Sequence, residues 1–251
     1  MTERNHNDTG QPKTTLRLLL LALASTTLVA CSQQDDSGEV RDVSSFHAIG
    51  IGGGFDVVVH QGSSQRVVVS SDMGELADLG EANTVVEADK LVLSKGSHWF
   101  SMFNVMNWFT QYKVEVTAPS LERVAVTGGS HVKFDDDFSA HALDLAASGG
   151  SNLLFNGKAD SVDVVTSGGA TVVLDGSATS MTARASGGSA VRGIKFEVQN
   201  AEVVTTGGSS LAVTVTGKLK ARSSGGSSIR YGGHPTDTDV HASGGSHIGE
   251  R

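Results

Sequence analysis

Residues 223–233 read SSGGSSIRYGG, and the core of that stretch, a hydroxyl residue, two glycines and a second hydroxyl residue, decides the fold. The same tetrad, Ser or Thr, then Gly-Gly, then Ser or Ala, stands at Thr127–Ser130, Ser148–Ser151, Ser167–Ala170, Ser186–Ser189, Thr206–Ser209, Ser224–Ser227 and Ser243–Ser246. Its first glycines fall at 128, 149, 168, 187, 207, 225 and 244, in steps of 21, 19, 19, 20, 18 and 19. A fixed period of this size marks a repeat architecture.

Glycine-rich linkers also recur, so the residues between the tetrads have to repeat their chemistry as well. They do. Four positions before the first glycine stand Val124, Leu145, Val164, Ala183, Val203, Ala221 and Val240; four after it stand Val132, Leu153, Val172, Val191, Leu211, Ile229 and Ile248. The position five before is mostly polar: Arg123, Asp144, Asp163, Thr182, Glu202, Lys220 and Asp239. Alternation of period two on both sides of a bend predicts strands with one buried face. A unit of about 19 residues with strands, bends and no helical segment fits one coil of a parallel β-helix. The fold class expected is therefore all-β.

Stacking explains the soft tetrad. A Gly-Gly corner must lie on Gly-Gly in the next coil, where positive φ and close backbone approach are needed. Hydroxyls stacked at the strand spacing of about 4.8 Å are too far apart to bond one another, so backbone groups or water are their expected partners. A looser second bend is expected at Asn156-Gly157, Asp175-Gly176, Thr216-Gly217 and Gly232-Gly233, with coil length varying there.

The composition agrees. The chain has 31 glycines, three prolines and 5% aromatics, few large side chains for 251 residues, yet 38% hydrophobic content is too much for disorder. At the amino terminus, Arg4, Lys13 and Arg17 precede an apolar run from Leu18 that continues to Ala30. This reads as an export signal over residues 1–30, too short for a comfortable membrane span. The run ends Leu28-Val29-Ala30-Cys31 and resembles the lipobox of bacterial lipoproteins, in which the cysteine is lipidated and begins the mature chain. Cys31 is the chain's one cysteine, and a lone thiol in an exported protein is otherwise an oddity. Residues 31–39 read as a flexible polar tether and residues 40–251 as the folded body. The membrane is thus a partner through the lipid anchor. Ser32, in place of an Asp retention signal, directs the expectation to the outer membrane. Without residues 1–30 the body carries 16 Lys plus Arg against 25 Asp plus Glu, a formal −9, which repels phosphate backbones; nucleic acid is not an expected partner.

Phe46-x-x-Ile49, Gly54-Phe55-Asp56-Val57-Val58-Val59, Val114-Glu115-Val116-Thr117-Ala118-Pro119-Ser120-Leu121, the Ser-Gly-Gly-Ser ladder and Ile229-Arg230-Tyr231-Gly232-Gly233-His234-Pro235 together resemble the head GIN domain, or putative auto-transporter adhesin, family. The resemblance spans about Val40 to Ile248. It implies a right-handed parallel β-helix on an exported or surface-anchored protein, and brings no functional residues with it.

Ahead of the ladder, residues 46–60, 65–70 and 84–94 read as strands that begin the solenoid, and residues 72–81 as a short helix or loop. Between Lys95 and Tyr112 lie Trp99, Phe100, Phe103, Trp108 and Phe109, five of the 13 aromatics. An open solenoid end needs covering, so the insert at 97–110 reads as a cap; a membrane or partner contact and a ligand-binding aromatic wall are the other readings.

Catalytic and metal motifs are missing. There is no Gly-x-Ser-x-Gly elbow, no Gly-Gly-x-Gly-x-Asp calcium repeat and no complete dinucleotide fingerprint. Asp135-Asp136-Asp137, Asp144 and Asp163 are the carboxylates for a glycosidase pair, but solvated loop charges are the plainer reading. His131 and His247 lie several coils apart, and His234 and His241 read as exposed polar filler. No cofactor, metal or catalytic residue is expected. The function expected is a non-catalytic binding module on a cell-envelope lipoprotein, facing a polysaccharide or an envelope or surface protein. A carbohydrate-active enzyme and an envelope-stress signalling partner are the alternatives.

Overall fold

The structure, a computed structural model, describes residues 38–72, 79, 82–95, 111–135 and 137–251. Ser37–Arg251 forms one compact unit, and every regular element described in it is a strand. The first are β1 (Glu39–Arg41), β2 (Ala48–Ile51), β3 (Phe55–Gln61), β4 (Arg66–Ser71), β5 (Ala82–Glu87), β6 (Lys90–Lys95) and β7 (Tyr112–Ala118). The repeat follows in β8 (Arg123–Val126), β9 (His131–Phe134), β10 (Phe138–Ala147), β11 (Asn152–Thr166), β12 (Thr171–Ala185), β13 (Ala190–Thr205), β14 (Ser210–Ser223), β15 (Ser228–Gly232), β16 (Asp237–Ala242) and β17 (His247–Glu250).

Each tetrad stacks on the next. Leu153 pairs with Val172, which pairs with Val191, then Leu211 and Ile229, all in parallel register. Val124, Leu145, Val164, Ala183, Val203 and Ala221 form the matching column on the other side of the corner. Every member of both columns from Val124 to Ile229 is buried. About seven turns of roughly 19 residues result: a parallel β-solenoid, as the spacing predicts.

At each corner both glycines are left-handed, with φ near +61 and +76 at Gly187 and Gly188, and the amide of Ser189 returns to the Ser186 carbonyl. Two positive φ values closed by a hydrogen bond across four residues describe a type I′ turn. A Cβ on Gly149 would lie 3.2 Å from the Gly128 amide nitrogen, a tight contact that adds to the cost of a side chain at positive φ.

The hydroxyls divide into two groups. Ser151, Ser209 and Ser227 donate to the carbonyls of Val126, Ala185 and Thr205 in the preceding coil, as expected of stacked hydroxyls. Thr205 and Ser223, stacked one above the other, depart from that expectation and bond directly at 2.9 Å, joined by Ser227. Strand spacing fixes Cα atoms only; buried rotamers lean toward each other and close the gap.

Three further differences have local causes. A single strand of 14 to 16 residues runs between successive corners in β11 to β14, instead of two short ones. The inward phase continues through Gly157 and switches between Asp160 and Ser161; two successive residues facing away from the core make that corner, without glycine. A Cβ on Gly176 would collide with the Gly157 carbonyl oxygen, so these glycines serve close backbone approach. Length variation does fall in this half of the coil: register shifts near Val173/Asp175 absorb Gly193-Ile194, and residues 135–137 lengthen the first step.

An eighth corner precedes the seven. Gly53 and Gly54 have φ of +98 and +78, and β2 and β3 pair in parallel with β8 and β9. Phe55 stands where Ser stands in six of the seven later corners and Ala170 in the other, and Ser130 Oγ of the next coil accepts the amides of Gly54 and Phe55. The chain then leaves the repeat until Arg123. On one side β7 lies against β3, followed by antiparallel β4 and β1; on the other β6 lies against β2, followed by antiparallel β5. The strands expected at 65–70 and 84–94 therefore exist, but β4 and β5 are antiparallel additions, not coils. They cover the first coil. The insert at 97–110 and most of 72–81 lie outside the described residues.

Inside, Phe134 meets Phe138 and Phe155 edge to face at 5.2 Å, and Phe155 meets Phe196 at 6.2 Å. Gly193, where the ladder otherwise carries an interior side chain, leaves room that the buried Phe196 fills, its Cβ 3.6 Å from where a Gly193 Cβ would sit. Gly176→Ala should cost on the order of 3 kcal/mol, since backbone must move. Gly169→Ala, where a Cβ meets nothing within 4 Å at φ +79, should cost about 1–2 kcal/mol. Urea unfolding midpoints of the two variants check this order.

Candidate functional site

Outward side chains of a solenoid form columns one coil apart. On the face ahead of the Gly-Gly corners these columns carry ion pairs between neighbouring coils. Arg123 reaches Asp144 at 2.7 Å, Lys220 reaches Glu202 at 2.9 Å, Arg222 reaches Asp239 at 3.0 Å, and Arg184 lies 3.6 Å from Asp163. Asp144 and Asp163 thus sit on strands, not in loops, each beside a cation. His241 joins Asp239 and Arg222 on the exposed face.

Asp135 is bonded to Lys133, whose ammonium holds the carboxyl below its ordinary range. Lys220 does the same for Glu202, and the Asp144 carboxylate raises Arg123. A general acid needs the opposite, a carboxyl raised by burial or by like charge. Asp137 accepts from Asn156 at 3.1 Å; Asp136 lies outside the described residues.

Among the described residues, two grooves of similar size open on this face. One of about 400 Å³ lies over Thr182, Glu202, Lys220 and Asp239; the other, of about 410 Å³, opens between His47, Ala48 at the start of β2, Asp89 in the β5–β6 turn, the segment Ser120–Arg123, and Ser139–Ala142 with Asp144 of β10. His47 Nδ1 lies 3.0 Å from both carboxylate oxygens of Asp89, and His141 Nδ1 is bonded to Asp160. Arg123 contacts Asp144 through Nε at 3.2 Å and a terminal nitrogen at 2.7 Å. Small aliphatic groups, Ala48, Ala140 and Ala142, lie between the polar ones. The arrangement offers imidazole and carboxylate acceptors together with guanidinium donors.

The sequence leaves this groove unmarked, because His47 and Asp89 are 42 residues apart and meet only where the chain departs from the repeat. The signal that locates it is the pattern of Ile49, Gly53-Gly54, Val57 and Val59, which obeys the ladder rule without a hydroxyl. Aligning that corner puts Ala48 in the column of Arg123 and Asp144.

The other expected sites have a different standing. Leu28, Val29, Ala30 and Cys31 lie outside the described residues, as do Trp99, Phe100, Phe103, Trp108 and Phe109. His131 and Asn152, in adjacent coils, bond at 3.1 Å. No group of three or more His, Cys, Asp or Glu able to hold a metal occurs among the described residues, nor does a helix long and apolar enough to cross a membrane.

Residues 45–235 match the family described as "Putative auto-transporter adhesin, head GIN domain". No curated protein matches the chain. Among solved structures, a putative adhesin from Bacteroides fragilis is 19% identical, with 85% of this chain and 96% of that one covered and a TM-score of 0.75. A putative adhesin from Parabacteroides merdae is 19% identical over 85% and 95%, at 0.67. A putative lipid binding protein from Parabacteroides distasonis is 16% identical over 84% and 96%, at 0.62. At such identities the likeness concerns the fold alone.

The lowered carboxyls set a pH window. Glu202, depressed below its ordinary 4.5, contributes stability that is present above that value and lost as pH falls through the folded one. The part of the stability difference between the wild type and Lys220→Met that comes from Glu202 should be constant from about pH 8 to 5 and shrink as pH falls below the ordinary 4.5 toward the lower folded value; thermal melts across that range measure it.

Proposed function

The chain belongs to the putative auto-transporter adhesin, head GIN domain family, and from that footing we propose a cell-envelope lipoprotein that carries a non-catalytic, adhesin-like binding module. The observation that carries the reading is the family match over most of the folded body, joined to a rigid solenoid whose outward columns are fixed in place by parallel stacking. A surface that repeats every coil suits an extended partner, a polysaccharide or an envelope or surface protein. The ion-paired Asp135 and Asp144 speak against the carbohydrate-cleaving alternative.

Residues 1–30 act as the signal peptide, Leu28-Val29-Ala30-Cys31 as the lipobox and Cys31 as the lipidated residue. Several acyl chains matter, since each buried methylene contributes about 0.8 kcal/mol and one chain binds only marginally. The tether that starts at Cys31 joins the module to the outer membrane and ends before Glu39, which is expected within it but pairs with Val69 in β1. The insert at 97–110, with Trp99, Phe100, Phe103, Trp108 and Phe109, caps the solenoid, and contact with a partner through these aromatics is the second reading.

Cys31→Ser should move the protein from the membrane to the soluble fraction on cell fractionation; persistence in the membrane contradicts the anchor. The full chain should retain an envelope protein or a glycan in a pull-down and release no product from that glycan. Product release abolished by Asp135→Asn with Asp137→Asn would overturn the non-catalytic reading.

A further inference from the structure

The turn that shapes the groove is made at conformational expense. Ala88 and Asp89 link β5 to β6 with φ of +46 and +67, the non-glycine residues with positive φ among those described. Two-residue hairpins of this kind favour Asn-Gly, Asp-Gly or Gly-Gly, because a Cβ in the left-handed region costs about 1–2 kcal/mol, less for Asn and Asp, so the strain falls chiefly on Ala88. The described chain places glycine at its other positive-φ positions. Asp89 stands where glycine would fit the turn at least as well, and its side chain makes a contact that glycine lacks.

The carbonyl of Asp89 accepts the amides of His47 at 3.0 Å and Ala48 at 3.2 Å, contacts that glycine would make equally well. Its carboxylate is what holds the His47 imidazole at the groove.

We infer that this groove binds a neutral glycan, an inference that rests on the binding-module reading and names its site and ligand. Nδ1 of His47 is engaged by Asp89 and Nδ1 of His141 by Asp160, which leaves Nε2 of each ring as a polar group for a ligand hydroxyl, itself both donor and acceptor. Arg123 keeps further N–H donors beyond those on Asp144. Acceptors and donors alternating around a small rim suit hydroxyls, which serve as both. The alanines leave room for the C–H face of a sugar ring. Asp89, Glu122 and Asp144 outnumber Arg123 among the lining charges, so a uronate or phosphate ester meets net repulsion. The volume is within the range that holds a small ligand.

Titration calorimetry of the detergent-solubilised full chain with mannan and dextran oligosaccharides, against oligogalacturonate, tests this. Asp89→Gly should melt no lower than the wild type, because it relieves the turn, yet bind the neutral oligosaccharide about tenfold more weakly. His141→Ala, at a side chain 91% exposed, should weaken binding without altering the melt. Neutral-glycan binding unchanged in both variants, preference for oligogalacturonate, or no glycan binding with an envelope protein still retained would overturn the groove and leave the binding module standing. Retention of neither glycan nor protein would overturn both.

Discussion

The structure depends on one steric constraint at the Gly-Gly corner. A left-handed pair of residues turns the chain, and the amide of the neighbouring coil lies so close beneath it that a Cβ at the first glycine would be both strained and crowded. Each corner therefore requires the same corner below it. Once the corners coincide, parallel register follows, and with it the columns of Val, Leu and Ala that fill the interior. Stability in such a molecule is a sum over nearest neighbours, so small side chains suffice when every coil repeats the match. Where the column lacks a side chain, at Gly193, an aromatic from the same coil moves in.

Much of this was legible because a repeat amplifies weak signals. One Val four residues from a glycine means little; Val124, Leu145, Val164 and their successors in register mean a buried column. The second corner was less legible. Gly157 and Gly176 look like turn residues, yet they mark places where backbone passes close to backbone, and the turn is made at Asp160-Ser161 by two polar residues with no special conformation. Hydroxyl bonding between Thr205 and Ser223 was hidden for another reason: coil spacing constrains Cα atoms and leaves rotamers free.

Of the groove, only the corner at Gly53-Gly54 was legible, through Ile49 and Val57 on either side of it. Repetition tells nothing about the places where it stops, and the groove forms where residues 62–122 interrupt the first coil and bring Asp89 back to His47. Sequences that are locally consistent elsewhere tend to break their own rules at functional positions. The Ala88-Asp89 turn, in a chain rich in glycine, is such a break. The ion-pair columns between Arg123 and Asp239 follow the rule instead, stitching coil to coil on an exposed face where screening limits each pair.

Disulfide trapping measures the stacking most directly. In a Cys31→Ser background, cysteines at Thr171 and Ala190, register partners in adjacent coils, stand about one strand spacing apart, within disulfide reach. Cysteines at Thr171 and Ser210, two coils apart, stand at about twice that distance, beyond it. The first pair should oxidise quickly in the folded protein and the second should stay reduced. Equal trapping of both pairs, or of the second alone, would contradict a solenoid built by laying corner on corner.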